Sequence, residues 1–118
     1  MVQEIVNQYG KIMISKEVLA TLAGIAATEC FGVVGMASHT LRDGIGQLLG
    51  KESISKGVEI EEKNNNILVK VHIIVGYGTK ISVIAGNVMQ RVEYALVQYT
   101  GLEIEKVQVV VQDVRILD

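Results

Sequence analysis

Proline and tryptophan are absent from this chain, and cysteine occurs once. Without proline, no stretch reads as a rigid polyproline linker or a proline-rich recognition motif. With Cys30 alone, no intrachain disulfide can form, which fits a reducing compartment. Aromatic residues make up only 4% while hydrophobic residues of all kinds reach 49%, so the core must be aliphatic. A net charge of −2, with no run of lysine and arginine, gives no long-range attraction to nucleic acid or to anionic lipid. The opening MVQEIVNQYG has neither a basic segment nor an apolar one behind it, so no secretory signal is expected.

What is present suits one compact domain spanning residues 1–118. One stretch is long and apolar enough to raise a membrane span: VLATLAGIAATECFGVVGMA, residues 18 to 37. Three glycines, two threonines and Glu29 interrupt it and no basic flank anchors it, so a buried helix followed by a turn is the expectation.

Periodicity supplies the elements. Gly10 to Ile14 reads as a strand, with Ile5 as an earlier starting point. Ser15 is placed to cap a helix, with Glu17 in its first turn and Val18, Leu22, Ile25 and Ala26 as its apolar stripe, stopped by Gly32. A second, short helix opens at Thr40, with Asp43 at the capping-box position and Leu41, Ile45, Leu48 and Leu49 on one face up to Gly50. After Gly57 the period becomes two. Val58 and Ile60 alternate with Glu59 and Glu61, three asparagines turn the chain, and Ile67, Val69, Val71, Ile73 and Val75 line one face of the return strand. Thr79 caps a long helix to about Tyr99 whose buried side holds Ile81, Ile84, Val88, Val92, Leu96 and Tyr99. Thr100 and Gly101 end it. Val107, Val109 and Val111 then form a last strand, and a strand–helix–strand order predicts that this strand runs parallel to the one before the helix. The expected fold is α/β of the α+β two-layer kind, β-α-α-β-β-α-β, with helices on one face of a four-stranded mixed sheet.

Three glycine motifs test for ligand chemistry. In DGIGQLLGKES the pair Gly50-Lys51 imitates a P-loop, but Ile45 stands where the first glycine belongs and Glu52 where the hydroxyl belongs. The predicted helix also precedes the glycine, which presents carbonyls rather than N–H groups to a phosphate. Gly76-Tyr77-Gly78 lacks the third glycine of a dinucleotide fingerprint, since position 81 is Ile81. Gly32, Val33, Val34 and Gly35 form a G-x-x-G that, between two helices, matches a KH domain, and single-stranded RNA binding through this turn is the alternative reading. Two valines between the glycines offer a phosphate neither charge nor hydrogen bonds, which weighs against nucleic acid.

His39 and His72 are far apart and lack a cysteine or carboxylate pattern around them, so no metal is expected, and no cofactor or catalytic group is proposed by the residues. Cys30 beside Phe31 reads as a buried, inert thiol, and Glu29 as a helix-end carboxylate turned to solvent. What remains is surface. Leu68, Lys70, His72 and Ile74 lie on the far face of the long strand, with Val110 beside them, and a partly aliphatic sheet face suggests a partner or a second copy.

Taken in order, GKIMISKEVLATLAGIAATECFGVVGMA, DGIGQLLGKESISKGVEIE, YGTKISVIAGNVMQRVEYAL and TGLEIEKVQVVVQDV resemble the alkaline shock protein family of Gram-positive bacteria over nearly the whole chain. The resemblance implies a cytoplasmic, non-enzymatic protein of cell-envelope homeostasis and stress response, of the small, YloU-like type without charged tails. It further implies an adaptor or scaffold that self-associates and contacts other proteins. A separate membrane-anchor protein is among the implied partners, giving a peripheral position at the membrane without a span of its own.

Overall fold

The computed structural model describes residues 2–38, 51–64, 66–78 and 80–116. The helix anticipated over Thr40–Gly50, including the Gly50 of the P-loop-like pair, His39 and Thr79 lie outside them. The described elements are β1 (Val2–Asn7), β2 (Gly10–Ser15), α1 (Lys16–Thr28), β3 (Val33–Met36), a 3-10 segment (Lys51–Gly57), β4 (Val58–Lys63), β5 (Asn66–Gly76), α2 (Ile81–Thr100) and β6 (Ile104–Arg115).

The sheet is organised around β5, the clearest alternation in the sequence. β6 runs parallel to it from Ile67↔Ile104 to Gly76↔Arg115. On the opposite edge β4 pairs antiparallel with its first half, Val58↔Val71 to Lys63↔Asn66. β3 continues that edge along the second half, Val33↔Val75 to Met36↔Ile73. Asn64, with φ of 52°, makes the β4–β5 turn that the asparagines predict. The result is the mixed α+β fold expected, with a four-stranded mixed sheet. Its membership differs from the expectation. The first strand of the chain is not in it: β1 and β2 pair with each other as a separate two-stranded sheet, and β3 takes the fourth place.

β3 is built from the G-x-x-G segment. Gly32 turns the chain with φ of +90°, its carbonyl accepts from Gly76 N at 2.9 Å, and Val33 and Val34 enter the strand. A Cβ at Gly32 would meet Ile84 at 2.6 Å, so glycine is required there by both conformation and space. The expected turn between two helices is therefore a strand lead-in, because these valines gain more from the edge of β5 than from an exposed loop.

Helices α1 and α2 cover one sheet face, and Ile67, Val69, Val71, Ile73 and Val75 are buried beneath them. Ser15 caps α1 as predicted, its Oγ accepting from Val18 N at 3.2 Å, with Glu17 in the first turn. The buried stripe differs in part, Ala26 alone of the four expected residues being fully inside. Leu19, Ala20, Ala23, Gly24, Ala26 and Ala27 face inward, while Val18 and Ile25 are exposed and Leu22 is half-buried. Bulk is the wrong guide here. The small residues mark where α1 comes closest to its neighbours, since only they let a backbone approach so tightly. α1 also stops at Thr28, before Gly32.

α2 buries Ile84, Val88, Val92, Ala95, Leu96 and Thr100. Ile81 and Tyr99, expected inside, are exposed, because the covering layer runs out at the ends of a 20-residue helix. Lys80 holds the N-cap position and makes no side-chain cap bond. At the other end Gly101 adopts φ of 74°, its N–H donating to Val97 O at 2.9 Å. Thr100 Oγ1 donates to Leu96 O at 2.6 Å and accepts from Leu102 N at 3.1 Å, so the exit to β6 is closed by hydrogen bonds. Among the described residues no helix is long and apolar enough to cross a membrane.

Two glycines in helices give opposite expectations. A Cβ on Gly24 would overlap the side chain of Ile54 in the 3-10 segment, whereas one on Gly86 meets nothing within 4 Å. Gly86→Ala should stabilise by up to about 1 kcal/mol through helix propensity. Gly24→Ala should lose about 1–2 kcal/mol, as overpacking outweighs the same gain. Urea unfolding of the two variants checks the difference in sign.

Candidate functional site

Two surfaces carry chemistry: the sheet face without helices, and the outer side of the helix layer. On the first, pairing aligns side chains across three strands. Glu59 of β4 is opposite Lys70 of β5, which is opposite Gln108 of β6. A register shift in β6 leaves Gln112 as an extra residue between the partners of Ile73 and Ile74, the signature of a bulge. There Gln112 Nε2 lies 2.6 Å from His72 Nδ1, and His72 Nε2 lies 2.8 Å from Glu59 Oε2. A tautomer in which Nε2–H donates to the carboxylate and Nδ1 accepts from the amide satisfies both contacts. Lys70 Nζ stands 4.0 Å from the same Glu59 oxygen.

This row changes the reading of the face. His72 and Ile74, offered with Leu68, Lys70 and Val110 as an aliphatic partner surface, are buried, Ile74 completely so. Leu68, Lys70 and Val110 are half-buried. The face is closed by a hydrogen-bonded polar row rather than left open with aliphatics. A shallow cleft of about 200 Å³ above it is lined by Glu59, Glu61, Leu68, Lys70, Lys106 and Gln108, two acids balanced by two bases. Among the described residues no three of His, Cys, Asp and Glu are placed to hold a metal.

The helix layer is the opposite case. The chain's one phenylalanine and four tyrosines are Phe31, Tyr9, Tyr77, Tyr94 and Tyr99, and all are between 59% and 89% exposed. Three of them border α1 and α2. A groove of about 390 Å³ runs between these helices, lined by Leu22, Ile25, Ala26, Ala95, Tyr94 and Tyr99. Glu29 and Arg91 cross it as an ion pair at 3.0 Å, and a wider depression beyond them reaches Cys30 and Phe31. The pair is solvent-exposed, so it neutralises the groove more than it stabilises the fold. Cys30 is half-buried, its Sγ 3.7 Å from Ala26 O. Burial pushes the thiol up from its ordinary range, Arg91 opposes this, and Glu29 adds to it. Sequence reasoning does not single out this groove. Its one available signal is Tyr94, which falls on the side of α2 opposite Val88 and Val92.

A model of the alkaline shock protein 23 family, described as a family of "cell envelope-related function", matches residues 4–116. The chain belongs to this family. The resemblance drawn from segment order and glycine positions thus holds over nearly the whole length. Relatives include a protein of Bacillus subtilis strain 168 described as "Uncharacterized protein YloU". It is 45% identical over 114 residues, covering 96% of this chain and 95% of the relative. "Uncharacterized protein Spy1614" of Streptococcus pyogenes serotype M6 is 40% identical, covering 92% and 90%. "Uncharacterized protein YqhY" of Bacillus subtilis is 31% identical, covering 85% and 73%. No solved structure matched the chain.

Two outcomes follow from the site geometry. His72→Ala leaves the Glu59 carboxylate and the Gln112 amide without their buried partner and should cost about 1–3 kcal/mol. Lys70→Ala, removing a half-exposed pair at 4.0 Å, should stay within about 0.5 kcal/mol. Chemical denaturation of both variants checks the contrast. For Cys30, a raised pKa means less thiolate at neutral pH, so iodoacetamide should label it more slowly than a free thiol. The rate should climb as pH rises past 9.0, and unfolding in denaturant should abolish the difference.

Proposed function

We propose that this family member is a non-enzymatic adaptor or scaffold of the cell envelope, working in the cytoplasm through self-association and contacts with other proteins. The observation that supports this is the placement of its aromatics. A chain with five aromatic residues builds its core without any of them and puts all five at the surface, with Tyr94 and Tyr99 lining one neutral groove and Phe31 in the depression beside it. Tyrosine and phenylalanine supply large contact area at low entropic cost and concentrate where proteins bind one another. Burying them would have served stability, so their exposure is a feature of contact.

The partners proposed are a second copy and a protein anchored in the membrane, which together place the chain peripherally at the membrane through a partner. The slightly acidic charge and the β3 strand in place of a G-x-x-G loop both favour protein over nucleic acid as the partner.

Affinity capture from the cells that make the protein tests the reading. The wild type should recover a specific protein and distribute with the membrane fraction, and Tyr94→Asp, exposed and therefore neutral for folding, should lose both. If nothing specific is recovered and the purified protein stays monomeric, the reading is wrong.

A further inference from the structure

The arm formed by β1 and β2 is the second feature of the surface that packing leaves unexplained. It pairs only with itself among the described strands and joins the body chiefly where β2 runs into α1. Ile14, at its base, packs on the core, but Val6, Ile12 and Met13 are exposed along it and Tyr9 stands at its tip. The tip is shaped rather than slack: Asn7 Oδ1 accepts from Tyr9 N at 2.8 Å, and Gly10 follows with φ of +142°. A lone two-stranded ribbon is marginal in water and requires packing against something else.

We propose that the arm of one molecule docks in the α1–α2 groove of a second copy, with Tyr9 and Val6 entering beside Tyr94 and Ile25. This rests on the self-association named above and gives it a surface. Each partner has what the other lacks: the arm exposes Val6, Tyr9, Ile12 and Met13 with no surface of its own to bury them, and the groove is concave and bordered by Tyr94 and Tyr99. Charge raises no obstacle, since Glu4 and Lys11 on the arm pair with each other at 2.8 Å, as Glu29 and Arg91 do at 3.0 Å in the groove. The contact is heterologous, so every open assembly ends in one free arm and one free groove. The contact belongs to the weak, transient class, with an affinity roughly in the micromolar range.

Sedimentation of the full chain between about 1 and 500 μM, a range bracketing that affinity, should show an average mass rising with concentration above 12.8 kDa. Tyr9→Asp and Tyr94→Asp should each be monomeric, with unchanged circular dichroism and thermal melting. Mixed together they should form a one-to-one dimer, the intact arm of the Tyr94 variant entering the intact groove of the Tyr9 variant. A mixture that stays monomeric overturns the proposal, as does a Tyr94 variant that still associates. In both cases a wild type that associates leaves the self-association reading intact. A wild type that is monomeric throughout removes both. Because Tyr9 lies outside the groove, Tyr9→Asp should still capture a different protein that binds there.

Discussion

The body of this molecule, as far as its residues are described, is hung on β5. Its eleven residues supply hydrogen bonds to β6 along one edge and to β4 and then β3 along the other. Because β6 runs parallel, the chain must cross the sheet between them, and α2 is that crossing. Because β5 alternates strictly, Ile67, Val69, Val71, Ile73 and Val75 all meet the helices, and Leu68, Lys70, His72 and Ile74 all meet the opposite side. A slip of one residue would exchange the two sets, so the register is specified by burial. The Glu59–His72–Gln112 row reinforces it from the far face by joining side chains of β4, β5 and β6 along a diagonal across the strands.

The aliphatic interior has a functional counterpart. Val, Ile and Leu fill the space between sheet and helices, and alanine and glycine on α1 set the closest approach. None of the aromatic side chains is used in that packing. The protein therefore presents rigid, large side chains on its helix layer and on a protruding arm while its core stays small and regular. Cell-envelope function is what the family description gives, and the proposal of contact surfaces rests on this exposure of the aromatics.

Much of this is legible from residues alone, for a physical reason. β4, β5, α2 and β6 are long and strongly periodic, and their pairing follows from the asparagine turn and the crossover. Expectation and structure part where tertiary context decides. Bulk points to Val18 and Ile25 as the stripe of α1, but Leu19 and five small residues are the buried ones, and hydrophobicity alone does not report closeness of approach. Val33 and Val34 become an edge strand because β5 offers a vacant half-edge that no local pattern reveals. Alternation puts Ile74 and His72 on an open face, yet both are buried, and a bulge in β6 brings Gln112 to the imidazole. The α1–α2 groove depends on two segments far apart in the chain, as the Glu29–Arg91 pair shows, so no single stretch announces it.

The central claim is that β5 anchors a self-sufficient body while the β1–β2 arm depends on contact with another molecule. Amide hydrogen exchange at low and high protein concentration measures both parts at once. The account predicts that β5 amides exchange only through global unfolding at any concentration, and that arm amides exchange quickly when dilute and become protected as concentration rises. Arm amides that are as protected as β5 in dilute solution, or that show no dependence on concentration, would contradict it.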